Sequence, residues 1–132
     1  MRESQTVRLL SLATIAFVYS PLPILAASAQ AAQVARISAP VPDQAVQGTV
    51  IITGTADAPD FASADLSFAY ASDTSSAWFT IRVIDRPIQE SELASWDTSL
   101  VSDGEYFLRL VITDNVGQSL EPCVIAVRVI NQ

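Results

Sequence analysis

The chain has 132 residues, with 14 acidic residues against seven arginines, no lysine and no histidine, for a formal net charge of −7. That composition removes the commonest general base, the commonest transition-metal ligand and any lysine Schiff base. The negative balance also tells against nucleic acid as a partner, and it offers no basic patch to anionic lipid headgroups.

The N-terminus reads as a targeting segment. Arg2 and Arg8 flank a short polar start, and residues 9–18 are then apolar except for Ser11 and Thr14. Pro21 and Pro23 follow, and a small-residue run closes the segment at Ala26-Ala27-Ser28-Ala29-Gln30-Ala31-Ala32. A charged start, an apolar core and an A-x-A-like end are the three parts of a secretory signal peptide. The expected division is a signal peptide over 1–31, cleaved near 29–31, and one domain over 32–132. An uncleaved membrane anchor is the alternative, opposed by the prolines, because a spanning helix needs about 20 continuous apolar residues. Cleavage removes one of the 14 acids and two of the seven arginines, leaving a small acidic domain of side-chain charge −8.

After Ala32 no apolar spacing at helical period persists, and turn residues recur along the chain. The pattern predicts about seven strands. The first covers 33–38 and ends at Pro40-Val41-Pro42-Asp43. The second, 48–56, is rich in β-branched residues, as a half-buried strand prefers. The third, 64–71, alternates Leu66, Phe68 and Tyr70 with Ser67, Ala69 and Ala71. The fourth, 78–85, groups Phe79, Ile81 and Val83, with 86–92 as an exposed connection. The fifth is short, 93–97. Leu93 and Trp96 cannot share a face under strict alternation, so a bulge or an irregular edge is expected there.

The sixth strand, 105–113, carries the clearest pattern. Tyr106, Leu108, Leu110 and Ile112 face one way, and Phe107, Arg109, Val111 and Thr113 the other. Ser102-Asp103-Gly104 is expected to be a tight turn making a hairpin with the preceding strand. Asp114-Asn115-Val116-Gly117 is expected to turn the chain again, because Asp and Asn bond locally and Gly accepts positive φ. The last strand, 123–130, sets Cys123, Ile125, Val127 and Val129 on one face and Arg128 on the other. Cys123 is the only cysteine, so no internal disulfide is possible, and it is expected to be a small buried apolar residue.

Tyr106, just inside a long strand after Asp103-Gly104, resembles the tyrosine corner of immunoglobulin-like and fibronectin-III-like sandwiches. Residues 48–56, Phe61 with Tyr70, 78–81, 93–98, 103–110 and 113–117 complete a pattern similar to bacterial immunoglobulin-like modules of the cell envelope. The resemblance implies an all-β, antiparallel immunoglobulin-like sandwich of about seven strands that follows a signal peptide. It implies a secreted or cell-envelope location and a non-catalytic role, since such modules usually accompany larger secreted or wall-associated enzymes. Tyr106 is then expected to bond backbone in the preceding turn, with Asp103 and Gly104 shaping that turn and Leu108, Leu110 and Ile112 building the core. The partner would be an extracytoplasmic protein or a cell-wall glycan; nucleic acid is not expected, nor a membrane unless the signal segment stays uncleaved.

The chemistry-bearing candidates are few. No His or Lys is present to activate serine or threonine, and a sandwich of this size rarely builds the cleft a carboxylate pair needs. No cofactor is expected. Asp57, Asp60 and Asp114 are the oxygen ligands that loops could gather around calcium, although no spaced Asp motif appears. Trp78, Trp96 and Phe107 fall on ambiguous or outer faces and are candidate stacking surfaces for sugars, the alternative reading to a protein-interaction or structural role.

Overall fold

The computed structural model describes residues 34–132, and the proposed signal peptide with its cleavage sites lies outside them. The strands are β1 (Val34–Ala39), β2 (Gln44–Val46), β3 (Thr49–Asp57), β4 (Phe61–Tyr70), β5 (Phe79–Ile84), β6 (Ile88–Asp97), β7 (Gly104–Asp114) and β8 (Cys123–Val129). A single 3-10 turn, Thr98–Leu100, joins β6 to β7. One sheet has the order β1-β3-β6 and the other β2-β8-β7-β4-β5. The two sheets share one core and form a β-sandwich.

Strand alternation builds that core. Leu66 on β4, then Leu108, Leu110 and Ile112 on β7, and Val129 on β8 are fully buried. Ile52 on β3 and Leu93 on β6 meet them from the other sheet. Each large side chain so buried contributes roughly 1.5–3 kcal/mol. Tyr106 is buried beside them, and its hydroxyl donates to the Ser102 carbonyl at 2.5 Å. Burial is the main influence on that phenol and pushes its pKa above the ordinary tyrosine value.

The bulge expected near Leu93 is present. Ile52 pairs with Ala94 and Thr53 with Glu92, so Leu93 is the extra residue, and Leu93 and Trp96 both reach the core. A second bulge sits in β5, where Leu66 pairs with Arg82 but Ser67 with Thr80. It breaks the expected set of Phe79, Ile81 and Val83. Phe79 faces inward against Phe68, whereas Val83 lies outward and exposed. Arg82 consequently falls on the inward side, not the outward side that strict alternation implies. Its Nη1 donates to the Leu93 carbonyl at 2.9 Å, across to the other sheet.

Four further expectations are corrected. The described residues form eight strands, because Gln44–Val46 is a short strand paired parallel to β8, so the sandwich is not wholly antiparallel. Residues 88–92 are not a connection but the first half of β6, paired to β3. Ser102-Asp103-Gly104 does not close a hairpin: β6 and β7 belong to different sheets, and the segment carries the chain from one to the other. Cys123 lies on the core-facing side of β8 but is only half-buried, at the end where the strand leaves the sheet. The second turn does return the chain, since β7 pairs antiparallel with β8.

One hydrogen-bonded knot fixes the end of the sandwich where β7 begins. Thr98 Oγ1 donates to the Gly48 carbonyl at 2.7 Å, and Gly48 N donates to Asn131 Oδ1 at 2.9 Å. Asn131 Nδ2 donates to the Thr98 carbonyl, and Asn131 N donates to Asp103 Oδ1. Asp103 thereby ties the C-terminal tail to the turn that Tyr106 braces.

Candidate functional site

The two sheets leave an open side where their edge strands β5 and β6 face each other. A cleft of about 440 Å³ lies there, lined by Phe68, Tyr70, Thr80, Ile81, Ser95, Trp96, Asp97, Leu100 and Val101. Its floor is aromatic. The Phe68 ring lies 5.2 Å from Trp96, Tyr70 lies 4.9 Å from Tyr106, and Trp96 meets Tyr106 edge-on at 5.8 Å. Such tilted and edge-on pairs add about 0.5–1.5 kcal/mol each beyond their buried area.

The cleft is open to solvent and its lining mixes apolar side chains with Thr80, Ser95 and Asp97. Leu100 is 81% exposed, and Phe79, packed on Phe68 and Tyr70, is 45% exposed. Leu100 is presented by the 3-10 turn, whose start is capped by Asp97: its Oδ1 accepts from Ser99 N at 3.1 Å and Ser99 Oγ at 2.6 Å. Asp97, at the irregular end of β6, is thus a capping residue that also supplies a carboxylate to the cleft.

Of the candidate stacking residues, Trp96 is 5% exposed and belongs to the core. It reaches solvent only as part of the cleft floor, which corrects its placement as an exposed surface platform. The register explains this: Trp96 pairs with Val50 on the inward side of β6. Trp78 precedes β5, is half-buried, and holds the Arg109 guanidinium 4.2 Å from its ring centroid. Phe107 is 37% exposed on the outer face of β7, two residues from Arg109. Trp78, Phe107 and Arg109 therefore belong to one outer sheet face, and Trp96 to the interior.

The aspartates separate less favourably. The β3–β4 and β7–β8 loops meet at the same end, since Asn115 N donates to the Asp60 carbonyl at 2.8 Å. Asp114 Oδ1 is taken up by its own turn, accepting from Val116 N and Gln118 N. Asp57 Oδ2 accepts from Gln89 Nε2. Among the described residues no group of three or more His, Cys, Asp or Glu side chains could hold a metal ion.

A polar cluster covers the outer face of the three-stranded sheet. Glu90 accepts from Arg36, from Ser38 Oγ at 3.0 Å and from Thr55 Oγ1 at 3.1 Å. The Arg36 hydrogen bond is the largest influence, and together these contacts hold the Glu90 carboxyl below the ordinary glutamate value. This cluster pairs its charges internally. Among the described residues Arg128 and Glu105 form a further cross-strand ion pair, at 3.9 Å and exposed, which carries little energy.

Sequence reasoning missed the cleft because it is made by residues from three strands and a turn that no local pattern joins. Leu100 was the available signal, an apolar side chain set in the polar run Asp97-Thr98-Ser99. No protein-family model matches the chain, and neither a curated protein nor a solved structure matches it.

Proposed function

We propose that this chain is a non-catalytic, exported immunoglobulin-like module of a bacterial cell envelope that binds another extracytoplasmic protein in the cleft between β5 and β6. The strand order supports the immunoglobulin-like part of the reading. β1, β3 and β6 correspond to strands A, B and E of one sheet, and β4, β7 and β8 to C, F and G of the other. The Tyr106 hydroxyl bonded to the Ser102 carbonyl supports it independently, as the contact a tyrosine corner makes.

The observation that carries the binding role is the aromatic-floored cleft with Leu100 exposed in its lining and exposed Phe79 packed on two of its aromatic residues, Phe68 and Tyr70. A small domain that leaves large apolar side chains in water beside a concavity marks an interaction surface. The partner chemistry follows from charge. With Asp97 in the wall and a net charge of −7, the favoured occupant is an apolar side chain flanked by Lys or Arg on the partner. The lack of His and Lys supports a non-catalytic role, since the commonest general base and any Schiff-base lysine are missing. The leader pattern of residues 1–31 supports export.

Leu100→Asp tests the reading, because Leu100 is almost free of the core and the variant keeps its fold. The full chain is expressed in its host, crosslinked in intact cells and recovered by a C-terminal tag. A discrete complex with the native chain that disappears with Leu100→Asp is expected. A complex unaffected by the substitution overturns the cleft as the binding site.

A further inference from the structure

The outer face of the five-stranded sheet holds a cation with no oxygen partner among the described residues, in a strongly acidic protein. Arg36 bonds Glu90, Arg82 bonds a carbonyl, and Arg86 and Arg128 lie beside Asp85 and Glu105. Arg109 alone among the described arginines is held by an aromatic ring instead, 4.2 Å from the Trp78 centroid. Its Nε is buried without a hydrogen-bond partner. Directly opposite, in the β4–β7 register, stands Ser67, which is 1% exposed with a hydroxyl that also lacks a partner. Two donors side by side, neither satisfied, are costly to bury unless an oxygen ligand can be offered to them.

We propose that this face is a second binding site, independent of the cleft, which takes a glycan carrying an isolated carboxylate. Arg109 receives the carboxylate through its planar fork, which matches two parallel oxygens. Trp78 orients the guanidinium, and Trp78 and exposed Phe107 offer flat apolar surface to the C–H faces of neighbouring sugar rings.

The sheet geometry favours a sugar over a peptide. β7 is central, with both backbone edges paired to β4 and β8, so no main-chain groups are free for an extended peptide to add a strand. Only side chains recognise the ligand here. The charge balance limits the ligand further. A protein of net charge −7 repels a dense polyanion, so one carboxylate between neutral sugars fits better than a continuous run of them.

The test uses the full exported chain and a tetrasaccharide of alternating glucuronic acid and N-acetylglucosamine, with its methyl ester and an acidic tetrapeptide as comparators. Amide chemical shifts under titration report both location and affinity. The expected result is a set of shifts on β4, β5 and β7 around Arg109, a loss of at least tenfold in affinity on esterification, and a similar loss with Arg109→Gln. Arg109→Lys is expected to retain only part of the affinity, and Trp78→Ala to lose at least fivefold. The ester comparison leaves the protein untouched, so it decides the matter even where a variant unfolds. Equal binding of the ester, shifts elsewhere, no binding, or equal binding of the acidic peptide overturns the proposal. Leu100→Asp, which disables the cleft, is expected to leave this titration unchanged.

Discussion

The Tyr106 hydroxyl reaches back four residues to the Ser102 carbonyl at 2.5 Å, and by that contact the strand at the centre of one sheet holds the segment arriving from the other. Tyr106→Phe keeps the ring in its aromatic neighbourhood and removes only the hydroxyl, with that bond and its 3.3 Å contact to Ser102 Oγ. A buried hydrogen bond contributes about 0.5–1.5 kcal/mol, and the stranded carbonyl costs more. The variant is expected to lose about 1–2 kcal/mol, a fall of roughly 4–12 °C in Tm for a domain of this size. Thermal denaturation followed by circular dichroism reads it, and an unchanged Tm refutes a structural role for the corner.

The same residue predicts an alkaline limb. Burial raises the Tyr106 pKa in the folded state, so its contribution is full below the unfolded tyrosine value, about 10, and is lost as pH rises through the raised folded value. Native protein is expected to lose Tm above about pH 10 more steeply than Tyr106→Phe.

Glu90 predicts the opposite limb. Its carboxyl is held low by Arg36, Ser38 and Thr55, so its contribution is present above the unfolded glutamate value, about 4.3, and is lost as pH falls through the folded value. Glu90→Gln is expected to show a flatter loss of Tm between neutral and acid pH than the native chain. Parallel curves would show that the exposed cluster carries no stability.

The two tryptophans should separate cleanly. Trp96→Ala opens a cavity in the aromatic core and is expected to cost about 3–5 kcal/mol. Trp78→Ala removes a half-buried ring and one cation–π contact, and about 1 kcal/mol is expected. Urea denaturation distinguishes them, and equal losses would mean that Trp78 is as much a core residue as Trp96.

Gly54 allows a sharper test of packing. A Cβ built there meets the Arg36 carbonyl oxygen at 2.0 Å, backbone that cannot swing away, so Gly54→Ala must push β1 off β3. Overpacking of this kind costs about 1–3 kcal/mol or more. Hydrogen exchange should show β1 amides losing protection first, and uniform protection across β1 and β3 would contradict the register.

These outcomes show which parts of the molecule the residues announce. Tyr106, Leu108, Leu110 and Ile112 alternate without interruption, so a reader of the chain finds the central strand and its core face directly. The Leu93–Trp96 spacing likewise implies its bulge. Gln44–Val46 escapes because three residues, only one of them buried, carry no period. Its partner β8 lies some 80 residues away, and only tertiary pairing makes it a strand. The extra residue at Ile81 reverses the facing of Arg82 through Ile84 relative to Phe79 and Thr80, which no composition rule foresees. Asp103-Gly104 reads as a hairpin turn because local chemistry describes a bend and not the sheet each flank joins. The cleft is hidden for a related reason: Tyr70, Ile81, Trp96 and Leu100 become neighbours only when β5 and β6 come to lie along one open side.

The most direct test of the binding role is site-specific photo-crosslinking in intact cells, with the photoreactive residue placed at position 100 on the cleft rim or at position 116. Leu100 and Val116 are comparably exposed apolar residues, and Val116 lies in the turn after β7, away from the cleft. The account predicts one discrete protein adduct from position 100, formed outside the cytoplasm, and none from position 116. No adduct from position 100, or the same adducts from both positions, would contradict it.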